Sequence, residues 1–396
     1  MKKVYPEPTP LAKPVRDFTG ELDELCRAKI SELVQSYLEA EVDELLGRIR
    51  YKRREGERPG SRDGHDPERT IASTIGPIAI RRPRVRGVKH ESALVPKYRR
   101  RLPSVDATIH KLWIEGLAHR DFEPTLRGLL GSDAPLSAST IARVNAEFGA
   151  EFAAWKSRRL EHEQFVYLWV DGIHLGAGPQ DERRVLLVAI GADVNGVKHL
   201  VALDEAMTES ELSWTAVFED LKARGMREPS LLIADGANGL WAAATKSLPS
   251  TKQQRCWLHK VRNVLDKVPE KHQKRVHADL REIVNAGSEG EARDKIEALA
   301  QSLQREYPKA AACMRDDVDR MVAFYRFPKA SWKSLRTTNP IESIFASVRL
   351  RTDAAKRLRT GTSATYLVFK LIQRLATSWR RINGYTTIAL ENAQAA

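Results

Sequence analysis

Two carboxylates in this 396-residue chain follow buried-type apolar runs and precede glycine. Asp171-Gly172 follows Phe165-Val-Tyr-Leu-Trp-Val170, and Asp235-Gly236 follows Ser230-Leu-Leu-Ile-Ala234. An acid just beyond a buried strand projects into the cleft at the strand's carboxyl end, where ligands of open α/β sheets collect. Two such acids on neighbouring strands repel unless a cation lies between them. Mg2+ takes oxygen ligands, typically one or two carboxylates completed by water and phosphate. Two ions ~3.5–4 Å apart activate the attacking oxygen and stabilise the leaving one at a phosphodiester, which calls for a third acid. Asp-Gly is also a common turn dipeptide, so either acid alone fits a plain turn. The pair, in a basic chain, points to metal-assisted phosphoryl chemistry.

The third acid stays open on chemistry alone. Glu342 lies in Arg336-Thr-Thr-Asn-Pro-Ile-Glu-Ser343. Thr337, Thr338 or Asn339 can cap a helix there, with Pro340 at its first position. A first-turn acid also complements the helix dipole, so plain capping competes with catalysis. Asp204, Glu205 and Asp353 are further candidates.

Cys256-x-x-His259 has the spacing of half a zinc site. The remaining thiols, Cys26 and Cys313, are in no paired motif. Packing for Cys256, and a place near the acids or a bound phosphate for His259, fit better than zinc. Lys260 and Arg262 follow on a helix and face phosphate in this reading. Trp241 and Trp257 read as core.

The positive charge has addresses. The chain carries +13, and residues 48–101 hold 17 Lys/Arg against 6 Asp/Glu. Residues 349–381 hold 9 against 1, and everything else sums to −6. Two concentrated basic segments suit a polyanion binder better than evenly solvated faces. The expected DNA contacts are Arg81, Arg82, Arg84, Arg86, Arg99, Arg100 and Arg101 in the first segment. In the second they are Arg349, Arg351, Lys356, Arg357 and Arg359. At 42% hydrophobic and 30% charged, the chain is neither wholly disordered nor fibrous. No run approaches the ~18 apolar residues of a membrane span. Three scattered cysteines and no secretory h-region predict a reducing, cytoplasmic setting, with nucleoid association when DNA is bound.

These residues must be held by elements whose outline is legible. Residues 19–47 read as a helix capped by Thr19 and ended by Gly47, with a near-heptad stripe that suits either a coiled coil or a core face. Residues 48–69 read as a loop. Runs at 70–74 and 78–82 form a hairpin about Gly76-Pro77, and Pro83 and Pro96 leave an extended basic arm after it. Residues 105–148 read as three short helices. A break at 131–135 and a helix capped by Ser137 or Ser139, carrying Arg143, resemble a helix-turn-helix. Runs at 165–170, 184–190 and 198–203 form an antiparallel meander. The order βββαβα then predicts a mixed sheet with helices on its faces. Residues 259–335 read as all-helical, and 339–381 as helix again.

Together these segments resemble the Mutator-type family of bacterial insertion-sequence transposases. The motifs are Val170-Asp-Gly-Ile-His174; Ser213-Trp214 with Arg224-Gly225; Ala234-Asp-Gly-Ala-Asn-Gly-Leu240; Gln254-Arg-Cys-Trp-Leu-His-Lys-Val-Arg-Asn263; and Arg336 to Ser343. Glu41-Val-Asp-Glu-Leu-Leu-Gly47 and Arg81-Arg-Pro-Arg84 look like its N-terminal region. The resemblance implies a multidomain α/β protein whose RNase H-like mixed-sheet catalytic domain is interrupted by an all-helical insertion. A helical, helix-turn-helix-like DNA-binding region precedes that domain. It implies a DDE triad of Asp171, Asp235 and Glu342 binding Mg2+ or Mn2+. Its implied partners are terminal inverted repeats, target DNA and further copies of the chain, a homodimer or higher oligomer. The expected division is 1–100 for the N-terminal helix, hairpin and arm, and 101–160 for the helix-turn-helix. It continues with 161–258 for the first part of the core, 259–335 for the insertion and 336–396 for the C-terminal helices. One departure is visible. Family members place a basic residue soon after the first acid, whereas His174 is followed by Leu175-Gly-Ala-Gly178, and the next is Arg183. Competing readings are a non-enzymatic helix-turn-helix regulator and an RNase H-like nuclease without strand transfer.

Overall fold

The computed structural model describes residues 18–47, 60–115, 117, 122–130, 138–174, 185–354 and 361–388. The chain forms two compact units, 1–141 and 142–396.

In the first unit, α1 (Phe18–Leu46) buries Val34, Leu38, Val42 and Leu46, a strict four-residue repeat along one face. Val34 and Leu38 pack on Ile71, Ile78, Ile80 and Val95. A second stripe, Leu22, Leu25, Leu33 and Tyr37, is exposed, so one apolar face of α1 serves the core and the other faces outward. Gly47 ends the helix at φ +59°. Four strands follow: β1 (Ser61–His65), β2 (Arg69–Ser73), β3 (Gly76–Ile80) and β4 (Pro83–Arg86). β2 and β3 form the expected hairpin, but its turn is Thr74-Ile75, and Gly76 opens β3 at φ +109°.

The free basic arm is corrected. Part of the presumed loop supplies β1, which pairs antiparallel with β4, the stretch carrying Arg84 and Arg86. Pro83 is tolerated because it begins the strand. Farther on, Ala72 bridges to Arg101, and Leu102 N–H donates to Ala72 O, holding this segment along β2. Helices α2 (Pro103–Ile114) and α3 (Phe122–Leu130) complete the described residues of this unit up to α4.

α4 (Ala138–Lys156) runs well past the short helix expected to end near residue 148. Its extension is held by aromatic packing: Phe152 and Trp155 lie 5.2 and 5.0 Å from the Phe369 ring. The expected helix-turn-helix break, 131–135, lies outside the described residues.

The second unit is built on a five-stranded sheet of β5 (Phe165–His174), β6 (Val185–Asp193), β7 (Lys198–Ala206), β8 (Leu231–Ala234) and β9 (Lys252–Arg255), ordered β7-β6-β5-β8-β9. The first three form the meander, and β8 and β9 add in parallel beside β5. Between them run α5 (Glu211–Ala223) and α6 (Asn238–Ser247). These cover one face, burying Leu168, Val170, Trp214, Phe218 and Trp241 together.

The other face carries Tyr167, Trp169 and Ile173, against a large helical layer. That layer comprises α7 (Trp257–Leu265), α8 (Glu270–Val284), α9 (Glu289–Leu303), α10 (Pro308–Arg315), α11 (Val318–Met321), α12 (Trp332–Leu335), α13 (Asn339–Ala354) and α14 (Gly361–Ala376). Trp169 Nε1 donates to Ser334 O at 3.3 Å, tying β5 to α12. No helix among the described residues is long and apolar enough to cross a membrane.

Candidate active site

Strand periodicity decides where the first two acids point. Tyr167, Trp169, Asp171 and Ile173 alternate onto the face covered by α7 and α13. Asp171 does not stand beyond its strand as expected; β5 continues through it to His174, and Asp171 pairs with Val188. On its other side β8 ends at Ala234, so the β5–β8 ladder stops before Asp171. Trp169 pairs with Ile233 in parallel register, so Asp171 and Asp235 each come two residues later, side by side. Neighbouring strands run about 4.8 Å apart.

Both acids are held by backbone. Asp171 Oδ1 accepts Gly172 N–H at 2.8 Å, and Asp235 Oδ1 accepts Ala237 N–H at 3.1 Å. Among the described residues no hydrogen bond reaches Oδ2 of either. Burial, reinforced by the charges of Asp235 and Glu209, pushes the Asp171 carboxyl up to about 7, against the pull of the Gly172 N–H and His259.

Neither Asp-Gly glycine serves a simple turn. A Cβ on Gly172 would fall 1.9 Å from Glu209 Oε1. Gly236 adopts φ +111°, and a Cβ there would fall 2.6 Å from Arg255 Nε. Arg255, nearly buried, is fixed by ion pairs to Asp317 and, at 3.4 Å, to Asp316. Glu209, in the β7–α5 connection, is the acid the sequence reading missed. Burial pushes its carboxyl up, with Asp235 adding to the shift and His174 opposing it. His174 Nε2 lies 3.5 Å from its Oε1. No local motif marked Glu209; only the tight space over Gly172 reveals it.

Glu342 reaches the same end of the sheet from the first turn of α13, between the buried Ile341 and Ile344. Its Oε1 lies 3.5 Å from His259 Nδ1, an ion-pair distance, and 2.5 Å from Thr338 Oγ1, which donates to it. Potential ligand atoms of Cys256, His259 and Glu342 fall within 4.8 Å of one another. Polar contact with Cys256, aided by the charges of Glu342 and Asp235, raises the His259 imidazole to about 9 although burial opposes it. Of the competing acids, Asp204 is occupied by Lys156 at 2.5 Å, and Glu205 accepts Thr365 Oγ1 at 3.3 Å. Asp353 lies about three turns farther along α13.

Other motif residues prove architectural. Trp214 is buried, and Ser210 caps α5 by accepting Ser213 N–H. Buried Arg224 donates to Lys156 O and Val201 O, and Gly225 turns at φ +93°. Gln254 is fully buried, with its amide bonded to Met321 O and Phe324 N–H. Trp241, Cys256 and Trp257 are core, as read.

The expected DNA contacts divide. Lys260 is corrected: it is fully buried, donates to Asp316 O at 2.6 Å, and burial lowers its ammonium to about 8. Arg101 is likewise buried and paired with Asp106, because its segment lies along β2 instead of forming an arm. Arg99 shares Asp106, Arg82 pairs with Asp66 and Arg81 with Glu68. Arg84 donates to Asp63 O yet stays exposed, as are Arg86, Arg100, Arg143, Arg262 and Arg349, while Arg351 is half-buried. Lys356, Arg357 and Arg359 lie outside the described residues.

The chain as a whole has known counterparts. The family described as "Transposase, Mutator family" matches residues 12–382. A transposase for insertion sequence element IS6120 from Mycolicibacterium smegmatis is 43% identical over 72% of this chain and 88% of its own length. A transposase for element IST2 from Acidithiobacillus ferrooxidans is 39% identical over 63% and 86%. One for element ISRM5 from Rhizobium meliloti is 29% identical over 91% and 89%. The chain belongs to the Mutator family of transposases, a class of DNA-cutting and recombining enzymes.

Proposed function

We propose that this chain cleaves DNA at the terminal inverted repeats of an insertion sequence and joins the freed 3′ ends to target DNA. Asp171, Asp235 and Glu342 form the acidic centre, in a domain of RNase H-like type with residues 259–335 as its helical insertion. The observation carrying this reading is the pairing of Trp169 with Ile233, two residues before Asp171 and Asp235, whose charges are close enough to act on each other.

The donor set fits a hard divalent cation. The buried Asp171 carboxyl is raised to about 7 beside Asp235, an unfavourable state that a cation relieves. Bound there, Mg2+ or Mn2+ supplies Lewis-acid activation of the attacking oxygen and charge stabilisation of the leaving one. Asp171 and Asp235 would hold this group, each carboxylate being oriented by the backbone N–H that its Oδ1 accepts. Glu342 closes the site from α13. His259, whose imidazole is pushed up beside Cys256, Glu342 and Asp235, would offset the excess of carboxylates. Both reaction steps are in-line displacements at phosphorus, so one acidic centre serves both.

Residues 48–148, with Arg84, Arg86, Arg100 and Arg143 exposed, bind the inverted repeats in this reading. Arg349, Arg351, Lys356, Arg357 and Arg359 hold the backbone near the acids. Two ends must be brought together, so the working form is a dimer or larger.

A supercoiled plasmid carrying the element's ends, incubated with the protein and Mg2+, tests the proposal. It predicts cation-dependent 3′-OH nicks at the ends and covalently joined donor–target products. Nicks without joined products would favour a nuclease, and end binding indifferent to cation would favour a regulator.

A further inference from the structure

Cys256 stands where the segments bearing the second and third acids meet. Its N–H donates to Ala234 O at 2.7 Å, immediately before Asp235. The next residue, Trp257, donates its N–H to Arg336 O at 2.9 Å, at the entry to the Glu342 segment. Thr338 N–H then donates to Cys256 Sγ at 3.2 Å. Thr338 Oγ1 lies 3.1 Å from that sulfur and 2.5 Å from Glu342 Oε1. Cys256 and Thr338 are both fully buried.

Thr338 occupies the N-cap of α13, since its carbonyl accepts Ile341 and Glu342 N–H at 2.9 and 3.0 Å. An N-cap hydroxyl ordinarily accepts a first-turn N–H. Here Pro340 supplies none, and the hydroxyl turns to the Glu342 carboxylate instead. A hydroxyl has one proton, and an ionised carboxylate can only accept. The proton therefore goes to Glu342, and an oxygen lone pair faces the Cys256 thiol.

We propose that Thr338 is a positioning residue that fixes the Glu342 carboxylate, and that Cys256 anchors Thr338 to the end of the Asp235 strand. The Cys256–Thr338 contact thereby links two acids separated by more than a hundred residues of chain. With Oε1 taken by Thr338, Oε2 is left for a cation in this reading. This inference rests on the reading of Glu342 as the third acid.

Thr338→Val keeps the shape and removes the hydroxyl; Thr338→Ser returns it. Groups that orient metal ligands are typically worth about 10–100-fold in metal affinity or activity. Free Mn2+, measured by electron paramagnetic resonance on the full-length chain without DNA, reports affinity independently of turnover. Single-turnover end cleavage reports the chemistry. Thr338→Val is expected to weaken Mn2+ binding and slow cleavage by about tenfold each, with Thr338→Ser recovering most of both. Cys256→Ala, which leaves the hydroxyl in place but unanchored and also removes the contact with His259, is read against His259→Gln and is expected to lose more Mn2+ affinity than that variant. It carries the test should the valine variant fail to fold. Wild-type Mn2+ binding in Thr338→Val and Cys256→Ala, with Glu342→Gln defective, would overturn the positioning role and leave the triad standing. Equal losses in the valine and serine variants would also overturn it. Undiminished Mn2+ binding and cleavage by Glu342→Gln would instead remove the triad reading beneath it.

Discussion

The Glu209 carboxylate lies directly over Gly172, so close that a Cβ on Gly172 would stand 1.9 Å from Oε1. Gly172 sits within β5 at no unusual backbone angle, so the glycine is required by this approach and not by a turn. Its consequence is electrostatic: a further negative group beside Asp171 and Asp235, raising the Asp171 carboxyl.

Removing that charge should be visible in the pH dependence of cleavage. Glu209→Gln is expected to shift the acidic limb of the pH–rate profile downward by about 0.5–1 unit, because Asp171 then ionises more readily. Gly172→Ala is expected to slow cleavage by at least about tenfold by displacing the carboxylate and deforming β5 beside Asp171. An acidic limb unmoved by Glu209→Gln would show that Glu209 does not act on Asp171.

The cation-free protein should lose stability as pH rises. Asp171 is raised from 3.8 to about 7, so across that window the folded chain binds more protons than the unfolded chain, and stability falls with pH. His259, raised from 6.5 to about 9, stabilises fully below its unfolded value and loses that contribution as pH climbs through its folded one. Both groups act in one direction. Melting in chelator should therefore fall between pH 5 and 9, and Asp171→Asn should raise the melting temperature at pH 8 by about 2–5 °C. Added Mg2+ should stabilise wild type more at pH 8 than at pH 5, since its ligands must be deprotonated.

Much of the sheet was legible because burial leaves a strong pattern. The aliphatic runs of β5, β6, β7 and β8 and the Trp214, Val217, Phe218 and Leu221 face of α5 follow the predicted periods. β9 was not legible: Lys-Gln-Gln-Arg has no apolar alternation, and it forms by parallel pairing with β8 and the buried amide of Gln254. β1 and β4 were hidden for the same reason, being polar and largely exposed. Asp171 and Asp235 announced themselves by strand, acid and glycine. Glu342 needed family resemblance to be chosen over Asp204, whose pairing with Lys156 no sequence pattern foretells. Glu209 depends on an approach between segments that residue types and spacing do not encode.

Charge alone did not separate DNA-facing residues from internal partners, and mutations can. Arg86→Ala and Arg100→Ala are expected to weaken binding to element ends, and each should lower the salt slope by about one if it neutralises one phosphate. Lys260→Met should leave end binding within about twofold but destabilise the fold by roughly 1–3 kcal/mol, because Asp316 O is deprived of its buried partner. A steep loss of end affinity in the folded Lys260→Met protein would contradict its structural assignment.

The central claim is that the acids at the end of β5 and β8 and at the start of α13 perform the chemistry. The direct measurement is Mg2+-dependent strand cleavage at element ends by Asp235→Ala, alongside end binding by the same protein. Cleavage is expected to fall by at least about a thousandfold while the ends are still bound. Cleavage at the wild-type rate by a folded Asp235→Ala protein would contradict the account.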